Sequence, residues 1–131
     1  MTVRVVDASA LILQVAPASG AAVLPGRLSD TFCHAPHLID AECGHVLRRA
    51  ARSHALTVAQ AWTALRAAGA LIDVRHAHPP LRQIAWSLRD RLSFYDAIYV
   101  TLAVRLDIPL ITADRRLANA AGLPCAVELA G

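Results

Sequence analysis

The chain contains no lysine: all 13 of its basic residues are arginine. That absence excludes a P-loop lysine on nucleotide phosphates, a Schiff-base lysine, and a lysine that could answer a pocket of acids. Alanine and arginine richness without lysine is first of all a mark of GC-rich coding. Its chemical consequence is that any basic patch offers planar guanidinium forks, which suit a phosphate backbone. Cysteine is scarce as well. Cys33, Cys43 and Cys125 are odd in number and form no Cys-x-x-Cys pair, so reduced, mostly buried thiols are expected rather than a disulfide framework. Long hydrophobic runs are also missing. A bilayer span needs roughly 18 apolar residues, and the longest stretch, around Ala97–Val104, is interrupted by Thr101. Asp7 falls inside the one N-terminal segment that could pass for an export signal, and no basic leader precedes it; a cytoplasmic location without membrane association is expected.

What is present is apolar and mildly basic. Hydrophobic residues make up 56% of the 131 positions against 18% charged, which is far from a disordered composition and sufficient for one buried core. With no internal repeat, low-complexity tract or boundary signal, residues 1–131 are read as a single domain. The net charge of +3 tolerates nucleic acid as a partner without demonstrating it.

Strands and helices alternate along the chain. Val3–Asp7 reads as a buried strand, with a helix over Ser9–Val15. Pro17–Gly26, with two prolines and two glycines, reads as a loop with a short broken helix on to Asp30, and Thr31–Ala35 as a second strand. A helix from Leu38 to Ser53 carries Ile39, Cys43, Val46, Leu47 and Ala50 at helical period. Thr57 caps a helix to Ala68 that Gly69 ends, and Leu71–Val74 is a third strand. Pro79 and Pro80 open a helix to Leu92. Ser93 begins another through Leu106, apolar on nearly every side and therefore central. Leu110–Thr112, a helix Arg115–Ala121 with Gly122 as C-cap, and a strand Ala126–Leu129 complete the pattern. Such alternation predicts an α/β fold with a parallel sheet covered on both faces.

Two strands run straight into acids, Val5-Val6-Asp7-Ala8-Ser9 and Leu110-Ile111-Thr112-Ala113-Asp114. Asp7 and Asp114 could simply cap the helices that follow, and Asp96, three residues after Ser93, could complete a capping box. Asp40 and Glu42 lie on opposite edges of an apolar stripe, and periodicity does not choose between them. In an open α/β sheet, however, strand C-termini and helix N-termini share one edge, which collects these acids. Two carboxylates about 4 Å apart repel by about 4 kcal/mol at an effective dielectric near 20. Three or four together require protonation or a cation, and oxygen donors suit Mg²⁺ or Mn²⁺ rather than zinc.

Rival chemistries fit less well. A phosphoacceptor receiver domain needs a lysine, and a haloacid-dehalogenase-type phosphatase needs Asp-x-Asp where this chain has Asp7-Ala8-Ser9. Cys33, His34, His37, Cys43 and His45 cluster in sequence but lack the spacing of zinc ligands. His54, His76 and His78 read as surface or loop residues.

At four places the chain resembles the PIN-domain nucleases and, among them, the VapC-type toxins of bacterial toxin–antitoxin pairs. The segments are Val6-Asp7-Ala8-Ser9-Ala10-Leu11, Ala35-Pro36-His37-Leu38-Ile39-Asp40-Ala41-Glu42, Tyr95-Asp96-Ala97-Ile98-Tyr99-Val100-Thr101-Leu102-Ala103 and Leu110-Ile111-Thr112-Ala113-Asp114-Arg115-Arg116-Leu117. Each alone is weak, but the four in order are specific. The resemblance implies a three-layer α/β/α sandwich with a five-stranded parallel sheet. It places the metal-binding and catalytic acids at Asp7, Glu42, Asp96 and Asp114, choosing Glu42 over Asp40, with Ser9 and Thr112 in support. It further implies Mg²⁺- or Mn²⁺-dependent endoribonuclease activity on an RNA substrate, a cognate VapB-like antitoxin and a homodimer. Arg115 and Arg116, which begin a helix beside the site, either hold flanking phosphates or form a solvated helix face. An RNA-processing nuclease without an antitoxin, or a noncatalytic module of the same fold, are the alternatives.

Overall fold

The computed structural model describes residues 1–16 and 28–130. Five strands form one parallel sheet: β1 (Thr2–Val6), β2 (Thr31–Pro36), β3 (Val74–His76), β4 (Leu110–Thr112) and β5 (Val127–Leu129), in the spatial order β3-β2-β1-β4-β5. β1 is central, with Val5 opposite both His34 of β2 and Leu110 of β4. Its apolar residues Val5 and Val6 are fully buried because neighbouring strands and helices cover both faces.

Chain order fixes where the helices go. From β1 the chain steps through α1 (Ala8–Val15) to β2, then through α2 (Leu38–Arg52) and α3 (Val58–Ala70) to β3. It then reverses through a 3₁₀ turn (Pro79–Leu81), α4 (Arg82–Ser87) and α5 (Phe94–Leu106) to β4 on the other side of β1, and through α6 (Arg115–Ala118) to β5. Right-handed crossovers taken in opposite directions put α1–α3 on one face and α4–α6 on the other, giving a three-layer sandwich. The packing agrees: α1, α2 and α3 contact one another, while α5 packs on α4 and on β1, β2 and β4. α5 is buried at every residue from Ala97 to Ala103, which explains a helix apolar on all sides. The reversal between β1 and β4 is a topological switch point, where open α/β sheets form a crevice beyond their strand ends.

Several boundaries depart from the sequence reading. The expected helix from Pro79 to Leu92 is a 3₁₀ turn, a six-residue helix and successive turns: the prolines occupy the first turn, and the helix ends at Ser87 with Leu88 as its cap. The third strand is Val74–His76 rather than Leu71–Val74: α3 runs on to Ala70, Leu71 caps it, and pairing with His34–Pro36 sets the strand. The last helix stops at Ala118 with Asn119 as its cap, and Gly122, at φ +68°, belongs to a later turn. Leu28–Asp30 is a turn, and the expected loop Pro17–Gly26 lies outside the described residues. Thr57 does cap α3, in a reciprocal capping box with Gln60. Of the three histidines expected at the surface or in loops, His76 instead ends β3, its Nε2 2.9 Å from His34 Nδ1, while His78 lies in a bend and its Nε2 accepts from the Leu38 N–H at 3.0 Å.

Candidate active site

Asp7 follows β1, accepts from the Ala10 N–H at 3.0 Å as the N-cap of α1, and is only 7% exposed. Asp114 follows β4 and caps α6 through the Arg116 N–H at 2.9 Å. Ser93 caps α5 by accepting the Asp96 N–H at 3.1 Å, which leaves the Asp96 carboxylate on the first turn. Each of these acids thus belongs to an ordinary cap. Together with Glu42 from α2 they also line one cavity of about 900 Å³ at the switch point.

The two small hydroxyls organise Asp7. Ser9 Oγ–H donates to Asp7 Oδ1 at 2.7 Å and Thr112 Oγ1–H to Oδ2. Each hydroxyl is itself oriented by a backbone donor: Ala113 N–H to Ser9 Oγ at 2.9 Å and Asp114 N–H to Thr112 Oγ1 at 3.0 Å. With Ala10 N–H, the Asp7 carboxylate accepts three hydrogen bonds, a set that fits its ionised form. Burial still outweighs those donors and raises its pKa, with a smaller contribution from Asp96.

Glu42 and Asp40 point to different places. Asp40 accepts a two-pronged bond from Arg75 on β3, at 2.7 and 2.9 Å, and its pKa is lowered by that guanidinium. Glu42 faces the cavity. Its Oε1 is buried, and neither it nor the buried Tyr99 hydroxyl makes a hydrogen bond of normal geometry, although the two groups face each other closely enough to influence each other's protonation. Burial raises the Glu42 pKa, and Asp7 and Asp96 raise it further. Asp96 is raised by burial and then by Asp114. Burial first, and then the neighbouring acids, therefore disfavour ionisation of Asp7, Glu42 and Asp96, and no arginine lines this cavity among the described residues.

Sequence reading missed part of the lining. Tyr99 sits one helical turn after Asp96 and faces the same cavity, a spacing that could have separated it from the surrounding core residues. Val46, read as part of the apolar stripe of α2, is 41% exposed and forms part of the cavity wall with Ile12, Leu13, Leu38 and Tyr95. Arg116 reaches back to Asp114 at 3.4 Å, whereas Arg115 is exposed and does not line this cavity. Cys33 and Cys43 lie in the core; burial pushes their thiols up to about 11 and about 12.

A family model for the PIN domain matches residues 4–123. The chain belongs to the PIN-domain family. Within the family it is 50% identical over 127 residues to Ribonuclease VapC1 of Mycobacterium tuberculosis, covering 95% of this chain and 96% of that one. Ribonuclease VapC3 of the same organism is 42% identical over 117 residues, 88% and 85% of the two chains. Among solved structures, PAE2754 from Pyrobaculum aerophilum superposes with a TM-score of 0.73 at 26% identity, covering 96% of this chain and 83% of that one. VapBC2 from Rickettsia felis, solved with a promoter DNA fragment, has a TM-score of 0.65 at 10% identity over 99% and 100%, a likeness of fold. The PIN domain described here shares its fold with these two solved structures.

Proposed function

We propose that this PIN domain is a divalent-metal-dependent endoribonuclease and the toxin of a toxin–antitoxin pair. The observation that carries the reading is the acid cavity: Asp7, Glu42, Asp96 and Asp114 at one switch point, three of them with raised pKa values and one with a buried, unpartnered oxygen. VapC ribonucleases with this domain depend on divalent metals in general. An all-oxygen donor set of acids fits Mg²⁺ or Mn²⁺. Among the described residues no three such side chains already stand in a finished metal-holding arrangement.

Asp7, Asp96 and Asp114 would hold the ion, with Glu42 orienting water or a second ion. The bound ion supplies positive charge to the scissile phosphodiester and its attacking water. The chain's own residues do the rest. Ser9 and Thr112 favour the ionised form of Asp7 against its burial and aim it; Tyr99 closes the floor beside Glu42 and limits the water that reaches it. Arg116, with Arg115 beside it, is assigned to flanking phosphates.

The wall of Ile12, Leu13, Leu38, Val46 and Tyr95 next to the carboxylates suits the tail of a VapB-like antitoxin. Such a tail would bring apolar side chains for the wall and an arginine for the acids. Homodimerisation, a single domain spanning 1–131 and a cytoplasmic location belong to the same proposal; no helix among the described residues is long and apolar enough to cross a membrane.

The test is expression in a bacterial host with sequencing of RNA 5′ ends, beside cleavage in vitro with Mn²⁺ or with chelator. New 5′ ends and Mn²⁺-dependent cleavage, both lost in Asp96→Asn, are expected. Cleavage that survives Asp96→Asn and Asp7→Asn refutes the mechanism; cleavage without growth arrest favours an RNA-processing nuclease.

A further inference from the structure

A second, smaller cavity of about 150 Å³ adjoins the acid cavity, and Asp96 lines both. Its character is opposite. Arg91 and Arg116 flank it from two separate segments, and Ser93 adds a hydroxyl. Arg91 is held there by a device of its own. Its Nη2 donates to the carbonyls of Ala121, at 2.9 Å, and Gly122. A Cβ at Gly122 would come within 3.1 Å of that nitrogen, so the glycine both supplies the φ of +68° and leaves room for the guanidinium. The tether uses one edge of the fork; Nε–H and the Nη1 donors have no partner among the described residues.

We propose that this cavity is a phosphate subsite for the RNA strand next to the scissile bond, with Arg91 as its positioning residue; it rests on the nuclease reading above. A free anion gains little here, because Asp96 faces it from the shared wall. A strand that spans both cavities meets a different field: its scissile group lies among acids and any cation they hold, and its neighbouring phosphate lies between two guanidinium groups. A tethered guanidinium keeps less rotamer freedom to lose than an untethered one, which favours a fixed register of the strand over loose attraction. Arg115, by contrast, is in the lining of neither cavity.

The experiment measures binding of a short labelled single-stranded RNA to the full chain in chelator across a salt series, with cleavage kinetics in Mn²⁺ beside it. Arg91→Met is expected to weaken binding about tenfold, to lower the salt slope by about 0.7, and to raise KM with little change in kcat. Arg105→Gln removes the same charge at the far end of α5, roughly 13 Å along the helix from Asp96, and is expected to change affinity less than twofold. Where Arg91→Met lowers Tm below the assay temperature, Arg91→Lys carries the test: it keeps the salt slope and loses affinity several-fold. An unchanged salt slope in Arg91→Met, an equal effect of Arg105→Gln, or an Arg91→Lys variant that binds like wild type overturns the subsite. A wild-type chain that binds RNA through Arg91 but never cuts it overturns the nuclease reading and, with it, the placing of the subsite beside a scissile bond, leaving Arg91 as a phosphate contact of a noncatalytic RNA-binding surface.

Discussion

Replacing Thr112 by valine tests the device that holds Asp7 in place. Thr112 is fully buried in β4, so valine fills the same space and deletes only the hydroxyl. Two bonds go with it: the donation to the Asp7 carboxylate and the acceptance of the Asp114 N–H at 3.0 Å. A hydrogen bond to a charged group contributes about 1.5–3 kcal/mol, and a stranded N–H costs a further 1 kcal/mol or so, offset in part by burying a methyl. The net loss is about 2–3 kcal/mol. At roughly 2.1 cal/mol/K of unfolding entropy per residue, a chain of 131 residues loses about 3.6 °C per kcal/mol, so a Tm drop of about 7–11 °C is expected in metal-free buffer. The lost donor also lets the Asp7 pKa rise further, since Thr112 is the strongest of the groups that lower it. The acid limb of the cleavage–pH profile in Mn²⁺ then moves to higher pH. Thr112→Ser keeps the hydroxyl and should lose only about 1 kcal/mol of packing with its acid limb unmoved. Equal Tm losses in the two variants, or a wild-type acid limb in Thr112→Val, would refute the argument.

Glu42→Gln should raise the metal-free Tm by a few degrees at neutral pH, on the order of 1 kcal/mol, and reduce the stabilisation by Mn²⁺ in thermal unfolding. The sign follows from raised carboxyl pKa values at Asp7, Glu42 and Asp96: their contribution to stability is complete below the ordinary values of 3.8 and 4.5 and is lost as pH climbs through the higher folded values. Metal-free Tm measured from pH 4 upward should therefore fall less steeply in Glu42→Gln than in wild type, and an identical slope would contradict this. Asp40→Ala breaks an exposed pair with Arg75, so it should cost under about 1 kcal/mol and leave cleavage intact, whereas loss of cleavage in a folded variant would mean that the wrong acid of α2 has been assigned.

The fold was legible wherever local signals and burial agree. β1 and β4 read from short apolar runs because Val5 and Val6 at the end of β1 and all of β4 are buried, and α5 read as central because no polar face interrupts it. β3 was misplaced because it is a three-residue edge strand whose position is set by pairing with β2, not by its own pattern. The site divided in the same way. Asp7 and Asp114 were visible as acids at strand ends. Glu42 was not separable from Asp40 by periodicity, because the decision is made 35 residues away by Arg75, which claims Asp40. Tyr99 was hidden inside an apolar helix where a buried tyrosine looks like any other large core residue, and Arg91 was hidden in a turn whose purpose shows only once Gly122 lies beside it.

The bond from Thr112 to Asp7 joins residues 105 positions apart, and that from Ala113 to Ser9 joins residues 104 apart. Such separations make the centre one of the slowest parts of the chain to close, since the long loop must be ordered before these contacts return any energy. They also set a sequence of events during synthesis. Until β4 has emerged, β1 lacks one of its two neighbours and Asp7 lacks both Thr112 and the backbone donors that orient Ser9. For a protein read as a toxin, a nascent chain that has not yet emerged through β4 therefore cannot assemble the acid site.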